Sequence, residues 1–432
     1  MHRRDEFQEA RRRQQRSASI RLALLTTLFV GALGVLSGCG HPASTYTTGK
    51  ASTAMPTTSS SPIQVTVPKT PTPNRDLSSI HMINATTGWA FTRPYLYTKG
   101  AYVLHTTDGG LHWRDVTPKY ATAESADEGI STEFLTASIA WVATAHHALF
   151  HTTDGGQTWQ KTSVGPGDPA SQASQITFIN PRDGWMLFST SATGGPGETV
   201  TIFRTIDGGT TWTSISSTGT NASPHKASGH LPPGGTRWGL SFLDTSTGWA
   251  TYQYTGTHNP VRFYVTHDTG FAWSEQRLPQ PFPSQPFATL PPKVFTTQDG
   301  ILPVLLFNGT NEEGIDIYVT HNGGGSWAST TFLPTAINLS TGLEATTATL
   351  DFLDMSHGWV VNDQGTLLST TADGGQHWAV ISPGRNFEGV FGMSFVSSTI
   401  GWALGKPADS TSPLIKTEDG GHTWKPVTFV VS

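Results

Sequence analysis

The octapeptide from Thr152 to Trp159 reads TTDGGQTW, and its recurrence along the chain decides the fold. Copies stand as TTDGGLHW from Thr106 to Trp113, TIDGGTTW from Thr205 to Trp212 and THDTGFAW from Thr266 to Trp273. Three more stand as THNGGGSW from Thr320 to Trp327, TADGGQHW from Thr371 to Trp378 and TEDGGHTW from Thr417 to Trp424. Their third residues, Asp108, Asp154, Asp207, Asp268, Asn322, Asp373 and Asp419, follow one another at intervals of 46 to 61 residues. That spacing is the length of a propeller blade, a unit that cannot cover both its faces alone and must stack on its neighbours. The turn composition has a physical reason: the carboxylate accepts hydrogen bonds from nearby amides, and the glycines supply positive φ.

A second motif precedes each octapeptide, an apolar residue, a polar turn and Gly-Trp. It reads MINATTGW to Trp89, FINPRDGW to Trp185, FLDTSTGW to Trp249, FLDMSHGW to Trp359 and FVSSTIGW to Trp402. In FLTASIAW, ending at Trp141, Ala140 replaces the glycine. The fifth copy reads as degraded, Phe295 to Gly300 being one residue short with Ile301 in place of Trp. The two motifs account for thirteen of the 14 tryptophans, leaving Trp238. Together they divide each repeat into four strands, which predicts an all-β, seven-bladed propeller of four-stranded antiparallel blades over residues 76–432. Burying one indole contributes on the order of 4–6 kcal/mol at about 25 cal/mol/Å², an upper bound because unfolded chains are compact. Repeated in every blade, this substitutes for disulfides, which a chain with one cysteine cannot form internally.

The N-terminus reads differently. Arg3, Arg4, Arg11, Arg12, Arg13, Arg16 and Arg21 precede an apolar run from Leu22 to Leu36, which ends in Leu36-Ser37-Gly38-Cys39. This pattern is that of an export signal over residues 1–38, and the small residues before Cys39 resemble a lipoprotein cleavage site. Lipidation of Cys39 is expected to anchor the mature chain in the lipid bilayer, at the outer face of the cell membrane. Residues 39–75 are rich in Ser, Thr and Pro and read as a tether. Within it Ile63 to Val67 alternates like a strand and is either an edge strand of the last blade or part of the tether. Residues 1–38 hold seven of the 26 basic and three of the 31 acidic side chains, so the remainder carries 19 against 28, a net charge of −9. That balance excludes nucleic acid as partner, because phosphate backbones are held by clustered Lys and Arg.

The octapeptides resemble the Asp-box, or BNR, repeats of sialidases, sortilin-type receptors, xyloglucan-active glycoside hydrolases and photosystem II assembly factors. The pairing with the Phe…Gly-Trp motif is most similar to the assembly-factor group, and the resemblance covers about residues 77–428. It implies a seven-bladed propeller in which the boxes are structural turns. It implies no catalytic residue and no cofactor here. A sialidase site needs three arginines around a carboxylate, a Tyr paired with Glu, and an Asp. Phe91-Thr92-Arg93-Pro94 echoes the start of that family, but no Tyr and Glu stand in a matching context. The xyloglucan hydrolases work in a cleft between two propellers, and one is encoded here. Glu124, Asp127, Glu128, Glu312 and Glu313 read as solvated loop acids rather than a glycosidase pair. His146, His147 and His151 are close in sequence, but adjacent strand positions face opposite sides, so no metal site is expected.

Topology adds one inference. Turns between strands one and two, and between three and four, share one face, and these are all tight. The long segments, among them 93–100, 120–128, 189–200, 217–237, 253–260, 279–292, 308–314 and 333–345, all belong to the other face. Irregular loops on a rigid scaffold are where binding resides. The candidate contacts there are Arg93, Tyr95, Tyr97, Trp238, Tyr252, Tyr254, Arg262, Phe282 and Phe287, since aromatics and Arg favour anchoring. The expected function is a membrane-anchored, non-catalytic binding or assembly propeller for a protein partner. A glycan partner and a glycoside hydrolase are the alternatives.

Overall fold

The computed structural model describes residues 62–64, 72–73, 77–92, 102–118, 131–144, 147–165, 172–189, 200–218, 231, 236–253, 262–279, 287–308, 311–334, 350–362, 367–381, 390, 392–405 and 414–432. Among them are seven sheets, antiparallel save for one pair, and no helix. Blade one is built from strands Ser79–Met82, Gly88–Thr92, Tyr102–Thr106 and His112–Asp115, and blade two from Ser131–Phe134, Ala140–Ala143, Ala148–Thr152 and Thr158–Ser163. Blades three, four, six and seven repeat the order one-two-three-four over 172–218, 236–275, 350–381 and 392–426. The first strands of blades two and three, three and four, six and seven, and seven and one pack against one another. The expected architecture is therefore the observed one.

The second motif builds the seams between blades. The Phe of one blade stacks on the Gly-Trp indole of the blade before it: Phe178 on Trp141, Phe242 on Trp185 and Phe395 on Trp359, each with centroids 3.6 Å apart. The glycine is obligatory because the Phe ring occupies its Cβ position. A Cβ on Gly184 would lie 2.5 Å from Phe178, and one on Gly358 2.2 Å from Phe352. Blade two has Ala140 opposite Phe134, and there the stack on Trp89 opens to 5.3 Å. The methyl group that sequence comparison marks as an exception is thus absorbed by displacement of the ring.

The indole N–H reaches onward to the next blade's box. Trp141 donates to Gly208 O, Trp185 to Thr269 O, Trp359 to Gly420 O and Trp402 to Gly109 O, at 2.8–3.0 Å. Trp249 does so through Gln276, whose amide donates to Gly324 O. The ring is closed by this bond from Trp402 and by Met82 N donating to Ser394 Oγ, both between blades seven and one. Closure is completed by Val430–Val431, which pairs in parallel with His112–Asp115 at the outer edge of blade one.

Three readings of the sequence are corrected. The strand around Ile63 is Pro62–Gln64, and it pairs with Thr158–Ser163 of blade two rather than with the last blade. Thr72–Pro73 pairs in turn with Val430–Val431. The fifth repeat is not short: Val294 stands opposite Gly300 and Lys293 opposite Ile301, so Val replaces Phe at full spacing. Its first strand is divided into Phe287–Thr289 and Lys293–Val294, with Pro291 and Pro292 between, as proline's missing N–H requires. The segment 308–314, read as an insertion, extends a long hairpin in which Asn308 pairs with Asn311.

Candidate functional site

Every box is a closed hydrogen-bond network. In the first, Thr106 Oγ1 donates to Asp108 Oδ1 and accepts from Gly110 N, while His112 N donates to the same carboxylate. Asp154, Asp207, Asp268, Asp373 and Asp419 repeat the pattern, and Asn322 reproduces it with its amide oxygen. The amide hydrogen bond from His377 and its imidazole push Asp373 down to about 2, and the hydroxyl and amide of Thr423 do the same for Asp419. A carboxylate committed in this way is a turn element and not a catalytic acid.

Each box is also fastened to the turn between strands one and two of its own blade. Gly109 N donates to Thr86 O, Gly155 N to Ser138 O, Gly208 N to Arg182 O and Thr269 N to Ser246 O. Gly323, Gly374 and Gly420 do likewise to Gln298, Ser356 and Thr399. All fourteen turns therefore share one face in fastened pairs, as topology requires.

Of the nine candidate contacts, Arg93, Tyr95, Tyr97, Tyr254 and Phe282 lie outside the described residues, as do Cys39, Glu124, Asp127, Glu128 and His146. The other four sit at the opposite ends of strands in blades four and five. Tyr252 pairs with Arg262 across strands Gly248–Gln253 and Arg262–Thr266. Trp238 occupies the register shift between Arg237 and Gly239 in Thr236–Phe242. Phe287 pairs with Leu306 in the neighbouring blade. Three of them are thus gathered in one blade, with the fourth next door.

His147 and His151 serve packing. His147, in the left-handed region at φ 61°, has Nδ1 2.9 Å from Val164 O and its ring stacked on Phe188. His151 stacks on Trp141, and burial pushes its pKa down to about 4. A cavity of about 450 Å³ opens at the seam of blades one and two, lined by His105, Arg114, Ser138 and Gln157 among others. Here Trp89 donates to Thr136 O instead of the box, and Arg114 Nη2 holds Gly155 O at 2.9 Å.

The residue opposite each Gly-Trp position, held by Ile301 in blade five, was not singled out by motif reading. Its identity changes from blade to blade: His81, Glu133, Lys293 and Asp351 are ionisable, and Thr177, Ser241 and Ser394 carry hydroxyls. The signal is positional, one residue before the motif's Phe, and it is masked by the absence of any shared residue type.

Fold and repeat define an Asp-box propeller. The family of the photosynthesis system II assembly factor YCF48 matches residues 74–222 and 335–430, more than half of the chain, and the chain belongs to that family. The unmatched stretch carries blades four and five and six of the nine candidate contacts. A photosystem II assembly lipoprotein Ycf48 of Synechococcus sp. (strain CC9902) is 28% identical over 202 residues, 45% of this chain. The chain spans about half the length of that relative, 48%. Among solved structures, YCF48 bound to a D1 peptide shares 17% identity at a TM-score of 0.48, covering 83% of this chain and 96% of that one. A puromycin-hydrolysing peptidase of Mycobacterium tuberculosis shares 11% identity at a TM-score of 0.55, covering 82% and 53%, a likeness of fold alone.

Proposed function

We propose that this chain is a non-enzymatic assembly factor that holds a protein partner on its insertion-bearing face, tethered to the outer face of the cell membrane by a lipid on Cys39. The observation that carries the reading is the division between faces. One is consumed by seven fastened pairs of turns, and the sequence assigns every long connection to the other. Family membership supports an assembly role. The clustering of Trp238, Tyr252 and Arg262 at strand ends of blade four supplies the residue types that anchor protein interfaces.

The test is to shorten 219–230, 254–261 and 280–286 to tight turns, singly and together, and to cross-link the lipidated protein in its own membranes. The expected result is an unchanged β-sheet circular dichroism spectrum with loss of one defined cross-linked protein. Retained cross-linking, or release of sugar from a glycoside by the purified protein, overturns the reading. Cys39→Ala is expected to free the chain from the membrane without unfolding it.

A further inference from the structure

The seam between blades one and two is built unlike that between blades two and three. The box carbonyl equivalent to Gly208 O, which Trp141 takes, is Gly155 O, and Arg114 Nη2 holds it instead of an indole. Trp89 donates to Thr136 O, and His105 Nε2 stands 2.9 Å from Ala137 O. Three side chains of blade one thus span to three carbonyls of blade two, at the seam where Ala140 opens the aromatic stack to 5.3 Å. The cavity of about 450 Å³ lies there, within the range of about 300–1,000 Å³ usual for small-ligand sites.

Its lining sets opposite charges side by side, Asp108 and Asp154 with Arg114. Burial opposes ionisation of Asp108 and Asp154, but hydrogen bonds from His112 and from Thr158 outweigh it and hold both carboxyls below the usual range. Among the described residues Asp108 Oδ2 meets only His112 Nδ1, and Asp154 Oδ2 only Thr158 Oγ1, each at 2.6 Å, so each oxygen keeps a lone pair. Arg114 has no carboxylate partner among the described residues, and beyond the bond to Gly155 O its guanidinium is free to donate. An anion entering the cavity meets two carboxylates, and a cation meets the guanidinium. Among the described residues no three His, Cys, Asp or Glu side chains gather to hold a metal. A hydroxyl suits both charges, since it donates one hydrogen bond and accepts two. Neighbouring hydroxyls on one ring supply that pairing at fixed spacing, and walls already held by backbone carbonyls lose little freedom on binding.

We propose that this cavity binds a neutral saccharide, the size of a mono- or disaccharide, with Asp108 and Asp154 accepting from its hydroxyls and Arg114, Gln157 and Ser138 donating to them. The site belongs to the box face, and none of its lining residues lies in a long loop. Both carboxyls are held ionised, so the cavity has no general acid and retains a sugar without cleaving it.

Saturation-transfer difference NMR of the full chain at pH 7 tests this with the methyl glycosides of glucose, galactose, mannose and N-acetylglucosamine, and with cellobiose and N,N′-diacetylchitobiose. Saturable transfer to at least one of these sugars is expected, with sodium acetate and methylguanidinium chloride giving none. Arg114→Lys, which keeps the charge and loses the fork, weakens binding about tenfold, and so does Gln157→Ala combined with Ser138→Ala. Gln376→Ala, at the same box position in blade six, leaves binding unchanged. Absence of saturable transfer to every sugar, binding of acetate or methylguanidinium in their place, or equal binding by the Arg114→Lys and Gln157→Ala/Ser138→Ala proteins overturns the proposal. No protein partner enters these measurements, so their failure and a failure of the assembly role are told apart.

Discussion

Trp141 of blade two and Phe178 of blade three lie face to face, 3.6 Å between ring centroids and 6° from parallel. His151 stacks on the same indole at 4.7 Å, and the indole N–H is held by Gly208 O. One side chain thereby joins two blades and a box. The same stack joins Trp185 to Phe242 and Trp359 to Phe395, which is why tryptophan and glycine recur while the loops vary.

Glycine before the tryptophan is a steric requirement. Gly184→Ala forces Phe178 off its stack and is expected to destabilise by about 1–3 kcal/mol, the usual cost of overpacking a core. Ala140→Gly in blade two relieves the one natural exception. Its crystal structure should show the Phe134 to Trp89 centroid distance falling from 5.3 Å towards the 3.6 Å of the other seams.

Thr269 occupies a box position held elsewhere by glycine, at φ 70°. A β-branched residue in the left-handed region is strained, and Trp185 needs only the backbone carbonyl there. Thr269→Gly should stabilise the protein by about 0.5–1 kcal/mol, the relief being partly offset by a more flexible unfolded chain. Thermal unfolding measures it.

Closure rests on a short parallel strand. Val431 is 2% exposed, between blade one and the Thr72–Pro73 strand. Val431→Asp buries a charge without a partner and should cost at least about 3 kcal/mol. Hydrogen exchange should quicken first in blades one and seven.

Acid should loosen the boxes. Asp373 and Asp419 have folded pKa values lowered to about 2 from an ordinary 3.8. The unfolded chain therefore takes up protons first as pH falls, so their stabilisation is complete above about pH 4 and is lost between there and about 2. Asp373→Asn and Asp419→Asn should flatten the melting temperature over that window. Glu133 acts oppositely: its folded pKa is raised to about 8 from 4.5, so stability falls as pH rises between those values, and Glu133→Gln removes that slope.

Blade number and seam chemistry were legible because each joint needs a specific side chain that the sequence repeats. The fifth blade misled because Val294 and Ile301 fill their places by apolar volume alone, which leaves no signature beside the neighbouring Phe295. Val430–Val431 was legible only as the end of the last blade, since pairing with a strand some 318 residues earlier leaves no local pattern. The groups opposite the Gly-Trp positions escaped notice because their meeting is a property of the ring: Lys293 and Asp351 are 58 residues apart and 3.2 Å distant. The long loops carry composition but no periodicity, so sequence indicated residue types without their arrangement.

The most direct measurement places a photo-cross-linking phenylalanine analogue on each face in turn. One protein carries it at Tyr254, in a segment that the sequence assigns to the insertion-bearing face, and the other at Leu111, an exposed box residue. Irradiation in native membranes should join a partner to the first and not to the second. A partner captured from Leu111 alone would contradict the account.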